Sequence, residues 1–60
     1  MTVEVRRDGR IEKIIDTGDA AKDHNDAFAW LLNAQGQSVD WAIKYEGWSI
    51  ITPEGPVRPS

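Results

Sequence analysis

The chain has no cysteine, and only one histidine, one tyrosine and one phenylalanine. Without cysteine there is neither a disulfide framework nor a thiolate zinc site. No apolar run approaches the roughly 20 residues that span a bilayer. Met1-Thr2-Val3-Glu4 shows no charged-then-apolar signal pattern, so a cytoplasmic location is the expectation. Positive charge is in deficit: seven Lys/Arg face ten Asp/Glu, for a formal charge of -3. No basic footprint therefore extends over the chain. Its 60 residues allow one small domain, without room for a cofactor fold or a cleft with its own walls. No cofactor is expected.

What is present is aromatic and β-branched. Three tryptophans in so short a chain answer a physical need, because aromatic side chains bury the most area per residue. Domains of about 55–65 residues fold alone but marginally. Phe28, Trp30, Leu31, Leu32, Trp41, Tyr45 and Trp48 are the large side chains available for a core. Self-association, which shares a core between copies, is the other route to stability.

The pattern along the chain predicts an α+β fold of order ββαββ: a four-stranded antiparallel sheet with one helix packed on one face. Residues 1–52 form the expected domain, and 53–60 a Pro-rich extended or disordered tail. Residues 2–6 and 10–16 are β-rich and flank the turn signal Arg7-Asp8-Gly9. A two-residue Asp8-Gly9 turn sets Val5 beside Glu12. A three-residue loop with Gly9 as bulge residue pairs Arg6 with Arg10 and Val5 with Ile11, which keeps Val3, Val5, Ile11 and Ile15 on one face. The second register is the expected one.

Residues 19–35 read as a helix, with Asp19 or Asp23 as cap and Gly36 as a left-handed stop. Its apolar stripe runs through Ala20, His24, Ala27, Phe28 and Leu31, with Trp30 at the flank. Residues 38–45 alternate: Val39, Trp41, Ile43 and Tyr45 against Ser38, Asp40, Ala42 and Lys44. A Glu46-Gly47 turn then pairs Tyr45 with Trp48 and Ile43 with Ile50, a second hairpin ending at 52. The predicted core is Val3, Val5, Ile11, Ile15, Phe28, Leu31, Leu32, Val39, Trp41, Ile43, Tyr45, Trp48 and Ile50. Ile14, Ala42 and Ile51 fall on the far side of the sheet.

Chemistry-bearing constellations are sparse. Asp16, Asp19, Asp23, His24, Asn25 and Asp26 crowd one stretch, but Gly18 is misplaced for a cation loop and no Glu closes it. Helix capping accounts for these charges, and no metal is expected. His24 has no nucleophile in a signature context. Ser38, Ser49 and Ser60 lack a strand-turn-helix elbow, so no catalytic residues and no enzymatic activity are expected. Arg6, Arg7 and Arg10 cluster at the first hairpin's tip, the alternative site for a nucleic-acid contact. Pro56-Val57-Arg58-Pro59 is a single PxxP match to which no function attaches. Trp30, Tyr45 and Trp48, with the patch Ile14, Ala42 and Ile51, are the candidate partner-binding residues, because exposed aromatic and apolar surface marks contact sites. The unidentified protein partner includes a second copy of the chain. Nucleic acid is the less favoured partner, and no membrane contact is expected.

Residues 37–50, QSVDWAIKYEGWSI, resemble small uncharacterised proteins of actinobacterial phages. In these a β-hairpin and a helix precede a similar SVDWAIKYEGW strand-turn-strand. The resemblance covers residues 3–50 loosely and 37–50 more tightly. It carries no known activity, so no functional residue transfers. What it implies is context: a short phage-type product that works inside a host bacterium by binding a host protein.

Overall fold

A computed structural model describes residues 2–36 and 38–58. The elements run β1 (Val3–Arg7), β2 (Arg10–Ile15), α1 (Ala20–Gln35), α2 (Val39–Tyr45), β3 (Trp48–Thr52) and β4 (Gly55–Pro56). The sheet is four-stranded and antiparallel in the order β2-β1-β3-β4. The α+β class and the antiparallel sheet agree with the sequence pattern. The ββαββ order does not: there are two helices, and the fourth strand comes from another part of the chain.

β1 and β2 turn through two residues. Asp8 and Gly9 have φ of 53° and 83°, as a type I′ turn requires, and the ladder opens with Arg7 opposite Arg10 and Arg6 opposite Ile11. The three-residue loop is thus corrected. The clash of Val5 with Glu12 is avoided by other means. The ladder jumps from Arg6–Ile11 to Val5–Lys13, leaving Glu12 as the extra residue of a β-bulge. Ile15 thereby regains its place beside Val3, and Ile11 moves beside Arg6 on the other face. Ile11, expected in the core, is exposed.

α1 forms where it was expected. The Asp19 carboxylate accepts from the Ala21 and Lys22 N–H groups at 3.0 and 3.2 Å. Gly36 closes the helix at φ 68°, its N–H donating to the Leu32 carbonyl at 2.8 Å. The buried stripe is Asp23, Ala27 and Leu31, three residues at i, i+4 spacing, with Phe28 and Trp30 at its margins. His24 and Leu32 face out.

Residues 39–45 are the main departure. They form a helix, not a strand, so the second hairpin and its Tyr45–Trp48 and Ile43–Ile50 pairs do not exist. Over seven residues a period of 2 and a period of 3.6 both fit, and the end signals decide. Ser38 is an N-cap whose hydroxyl accepts from the Trp41 N–H at 3.1 Å. Asp40 lies in the first turn and Lys44 in the last, as the helix dipole favours. Ala42 is fully buried, with Val39 partly buried against the core. Ala42 was expected on the far sheet face. Trp41 and Tyr45, expected in the core, are exposed. Gly47, at φ 78°, ends the segment. Its carbonyl accepts from the Asp8 N–H at 2.9 Å, joining it to the first hairpin's turn.

β3 pairs with β1, setting Val5 opposite Ile50 and Glu4 opposite Ile51. The described part of the expected tail is tied to the sheet. Gly55 and Pro56 pair with Thr52 and Ile51, and the Val57 N–H donates to the Ile50 carbonyl at 2.8 Å. Pro56 sits on the edge strand, where its missing N–H leaves no ladder bond unmade. Pro59, which completes the PxxP match, and Ser60 lie outside the described residues. Both helices pack on the face that carries Val3, Val5, Ile15, Trp48 and Ile50, and Ala27, Leu31 and Ala42 complete the buried cluster. No helix is long and apolar enough to cross a membrane among the described residues.

Candidate functional site

Three regions carry polar or aromatic chemistry. The first is the exposed side of α2. Burying Val39 and Ala42 turns Trp41 and Tyr45, one helical turn apart, to the outside. Their ring centroids are 4.6 Å apart with planes inclined at 50°. Trp41 is 48% exposed and Tyr45 66%. The result is a tilted aromatic pair in contact on a short, capped helix. Sequence parity hid Trp41 by placing it under a helix. The signal that locates it is its i, i+4 spacing from Tyr45, off the Val39–Ala42 line.

The other candidate contact residues divide. Trp48 is buried, and Trp30 is half-buried beside it, with ring centroids 6.0 Å apart in an edge-to-face arrangement. The Trp48 indole N–H finds no acceptor among the described residues. Ala42 and Trp48 thus belong to the core and present little surface to a partner. Ile14 is exposed and Ile51 half-buried, and both lie on the sheet face away from the helices. The structure therefore does not bring the six residues into one patch.

The second region is the tip of the first hairpin. Arg7 and Arg10 stand directly opposite each other. Like charges in that position repel. Neither has a carboxylate within ion-pair distance among the described residues. The Arg7 guanidinium lies 5.3 Å from the Trp48 ring centroid, a cation–π contact. Arg6 is separated from this pair. It points to the opposite face, where its Nε donates to Glu4 Oε1 at 2.9 Å and its terminal nitrogen makes a second bond to the same oxygen.

The third region is the acidic stretch before and within α1. Asp19 is occupied as the helix cap. Asp23 is buried, and its carboxylate accepts from both the N–H and the hydroxyl of Thr17. The Thr17 hydroxyl holds the Asp23 carboxyl below the usual range, against the burial that raises it, with the Thr17 N–H adding to the lowering. Asp26 accepts from Lys22 at 2.8 Å across one turn, and this bond raises the Lys22 ammonium pKa. The His24 ring lies 4.8 Å from Phe28. Among the described residues no three His, Asp or Glu side chains converge to hold a metal ion. Of the serines, Ser38 caps α2, and Ser49 is half-buried on the far sheet face beside Arg6.

No family model, no curated protein and no solved structure matches this chain. The arrangement of its own residues carries the functional argument.

Proposed function

We propose that this chain is a non-enzymatic protein-contact module whose principal contact surface is the exposed face of α2. The observation that carries the reading is the tilted, contacting pair Trp41–Tyr45, held on the outside of a capped helix. Tryptophan and tyrosine are the side chains most enriched at the energetic centres of interfaces. A chain this small that leaves two of its largest rings in water forgoes burial its fold needs. Tyr45 is the member of the pair that sequence already marked, and Trp30 borders the core. A phage-encoded modulator of a host protein is the concrete form suggested by the resemblance at residues 37–50.

The test is affinity capture from an actinobacterial lysate, with the bound protein then purified and titrated. The reading requires one partner bound by wild type and lost with Trp41→Ala and Tyr45→Ala together, while Arg10→Glu leaves it in place. Binding that survives the double substitution refutes the α2 assignment.

A second reading follows from the Arg7–Arg10 pair. Two arginines at opposed strand positions, without an ion-pair carboxylate among the described residues, suit a phosphate group. In this alternative the hairpin tip contacts nucleic acid, with Arg7 and Arg10 in the lead and Arg6 engaged by Glu4. Salt-dependent retention on RNA or DNA, abolished by Arg7→Glu and Arg10→Glu, is its signature. Absence of any shift at low salt with micromolar protein eliminates it.

A further inference from the structure

Both helices lie on one side of the sheet, and among the described residues nothing covers the other side. The pairing registers define that open face. One row across it holds Ile11, Arg6 and Ser49, and the next holds Ile14, Glu4, Ile51 and Pro56. Ile11 and Ile14 are 50% and 54% exposed, a large fraction for isoleucine on neighbouring positions of one strand. The middle of the face carries the Glu4–Arg6 ion pair.

We propose that this open face docks against the same face of a second copy, with the strands of the two copies running in opposite directions. The charges choose both the occupant and its orientation. A two-fold axis lying between the sheets and running across the strands exchanges the two rows. Arg6 of each copy then sits over Glu4 of the other, so the two ion pairs form a ring of alternating charge. In the β2 column Ile11 meets Ile14, and in the β3 column Ser49 meets Ile51. An axis along the strands instead stacks Arg6 on Arg6 and Glu4 on Glu4, which is repulsive. Sheets packed in this way are inclined by about 30°, an offset that long Arg and Glu side chains bridge.

The footprint sets the strength. Three strands of five or six residues and a fourth of two cover roughly 300 Å² in projection. Long-lived complexes bury about 800 Å² per partner. The dimer is therefore a weak one that forms and dissociates with concentration. The proposal does not depend on the α2 contact, which uses the other side of the molecule.

Sedimentation velocity from about 10 µM to 2 mM, a range suited to small transient interfaces, tests the assembly. Wild type should pass from monomer to dimer and stop there. Arg6→Glu alone makes the ring wholly acidic, and Glu4→Arg alone makes it wholly basic. Each should weaken dimerisation by about tenfold or more. The double variant Glu4→Arg with Arg6→Glu restores the alternation and should return the dimer to within about threefold of wild type. Far-UV circular dichroism verifies the fold of each variant. On dilution of wild type, NMR shifts should concentrate at Ile11, Ile14 and Ile51 and spare Trp41 and Tyr45, which tests the face without any substitution. A monomer throughout the range overturns the proposal. So does a dimer indifferent to the single charge reversals, growth into larger polymers, or shifts centred on α2. None of these outcomes bears on capture of a foreign partner by Trp41 and Tyr45, so the two readings fail separately.

Discussion

Asp23 on the first turns of α1 is tied to Thr17 in the preceding loop by two hydrogen bonds to one carboxylate oxygen. This pair fixes the angle at which the chain enters the helix. It also gives the fold a defined response to acid. The Asp23 carboxyl is held below its ordinary range in the folded state. The stability it lends is therefore present above the unfolded carboxylate pKa, and is lost as pH falls through the lower folded value. Thr17→Val removes the hydroxyl and leaves a buried carboxylate with one donor fewer. Urea unfolding at about pH 7 should show the variant less stable than wild type, with the difference closing as pH falls below the ordinary carboxylate range. A difference that stays constant over that range contradicts the assignment.

Gly47 lies against the first hairpin's turn. A Cβ there meets the Asp8 carboxylate, and φ of 78° disfavours any side chain. Gly47→Ala should cost about 1–2 kcal/mol, mainly from left-handed strain, because the exposed Asp8 side chain can swing aside at small cost. Adding Asp8→Gly should recover the clash component only, so a double-mutant cycle by thermal or urea unfolding separates the two.

Ala42 decides between helix and strand for residues 39–45. On α2 it is buried without space, so Ala42→Leu should destabilise by about 1–3 kcal/mol through overpacking. On a strand facing solvent the same change is tolerated. Ser38→Ala should cost about 1 kcal/mol by removing the cap. Chemical denaturation of both variants provides the comparison.

Trp41 and Tyr45 should be dispensable for folding. Replacing both by serine should change stability by no more than about 0.5 kcal/mol, the usual range for surface positions. The same variant should lose its protein partner. A large drop in melting temperature would assign the pair to the fold and not to contact.

Arg10→Glu should stabilise the hairpin by about 0.2–1 kcal/mol, by converting a repulsive cross-strand pair into an attractive one. Because the site is exposed, the gain should shrink as salt rises toward about 1 M. No gain at low salt would show that solvent already screens the Arg7–Arg10 repulsion.

The readable parts of the fold were those with local chemistry. Asp19 and Gly36 are end signals that work within one helical turn, and α1 forms between them. Asp8-Gly9 carries a turn signal of the same local kind, but keeping Ile11 beside Val5 favoured a three-residue loop over the two-residue turn that forms. The alternation from Val39 to Tyr45 misled because seven residues hold too few periods to separate strand from helix. Ser38 and Lys44, at the ends, carried the missing information. The bulge at Glu12 was not legible, since it answers a conflict between the turn and Val5 that exists only once both strands are paired. β4 was hidden for a related reason. Gly55 and Pro56 have poor strand propensity, and they pair because β3 offers them an open edge. At the candidate site, the error over residues 39–45 propagated directly: it put Trp41 in the core and Ala42 on the surface.

The bulge has a further effect on how the molecule behaves in crowded solution. A regular β2 would present an unbroken row of backbone donors and acceptors to any passing strand. Glu12 interrupts that row and throws the outer edge out of step, while Arg10 and Lys13 add charge beside it. At the opposite border Pro56 withholds a donor. Lateral growth is blocked on both sides, so a chain with exposed isoleucines is protected from fibril formation without being prevented from meeting another protein face to face.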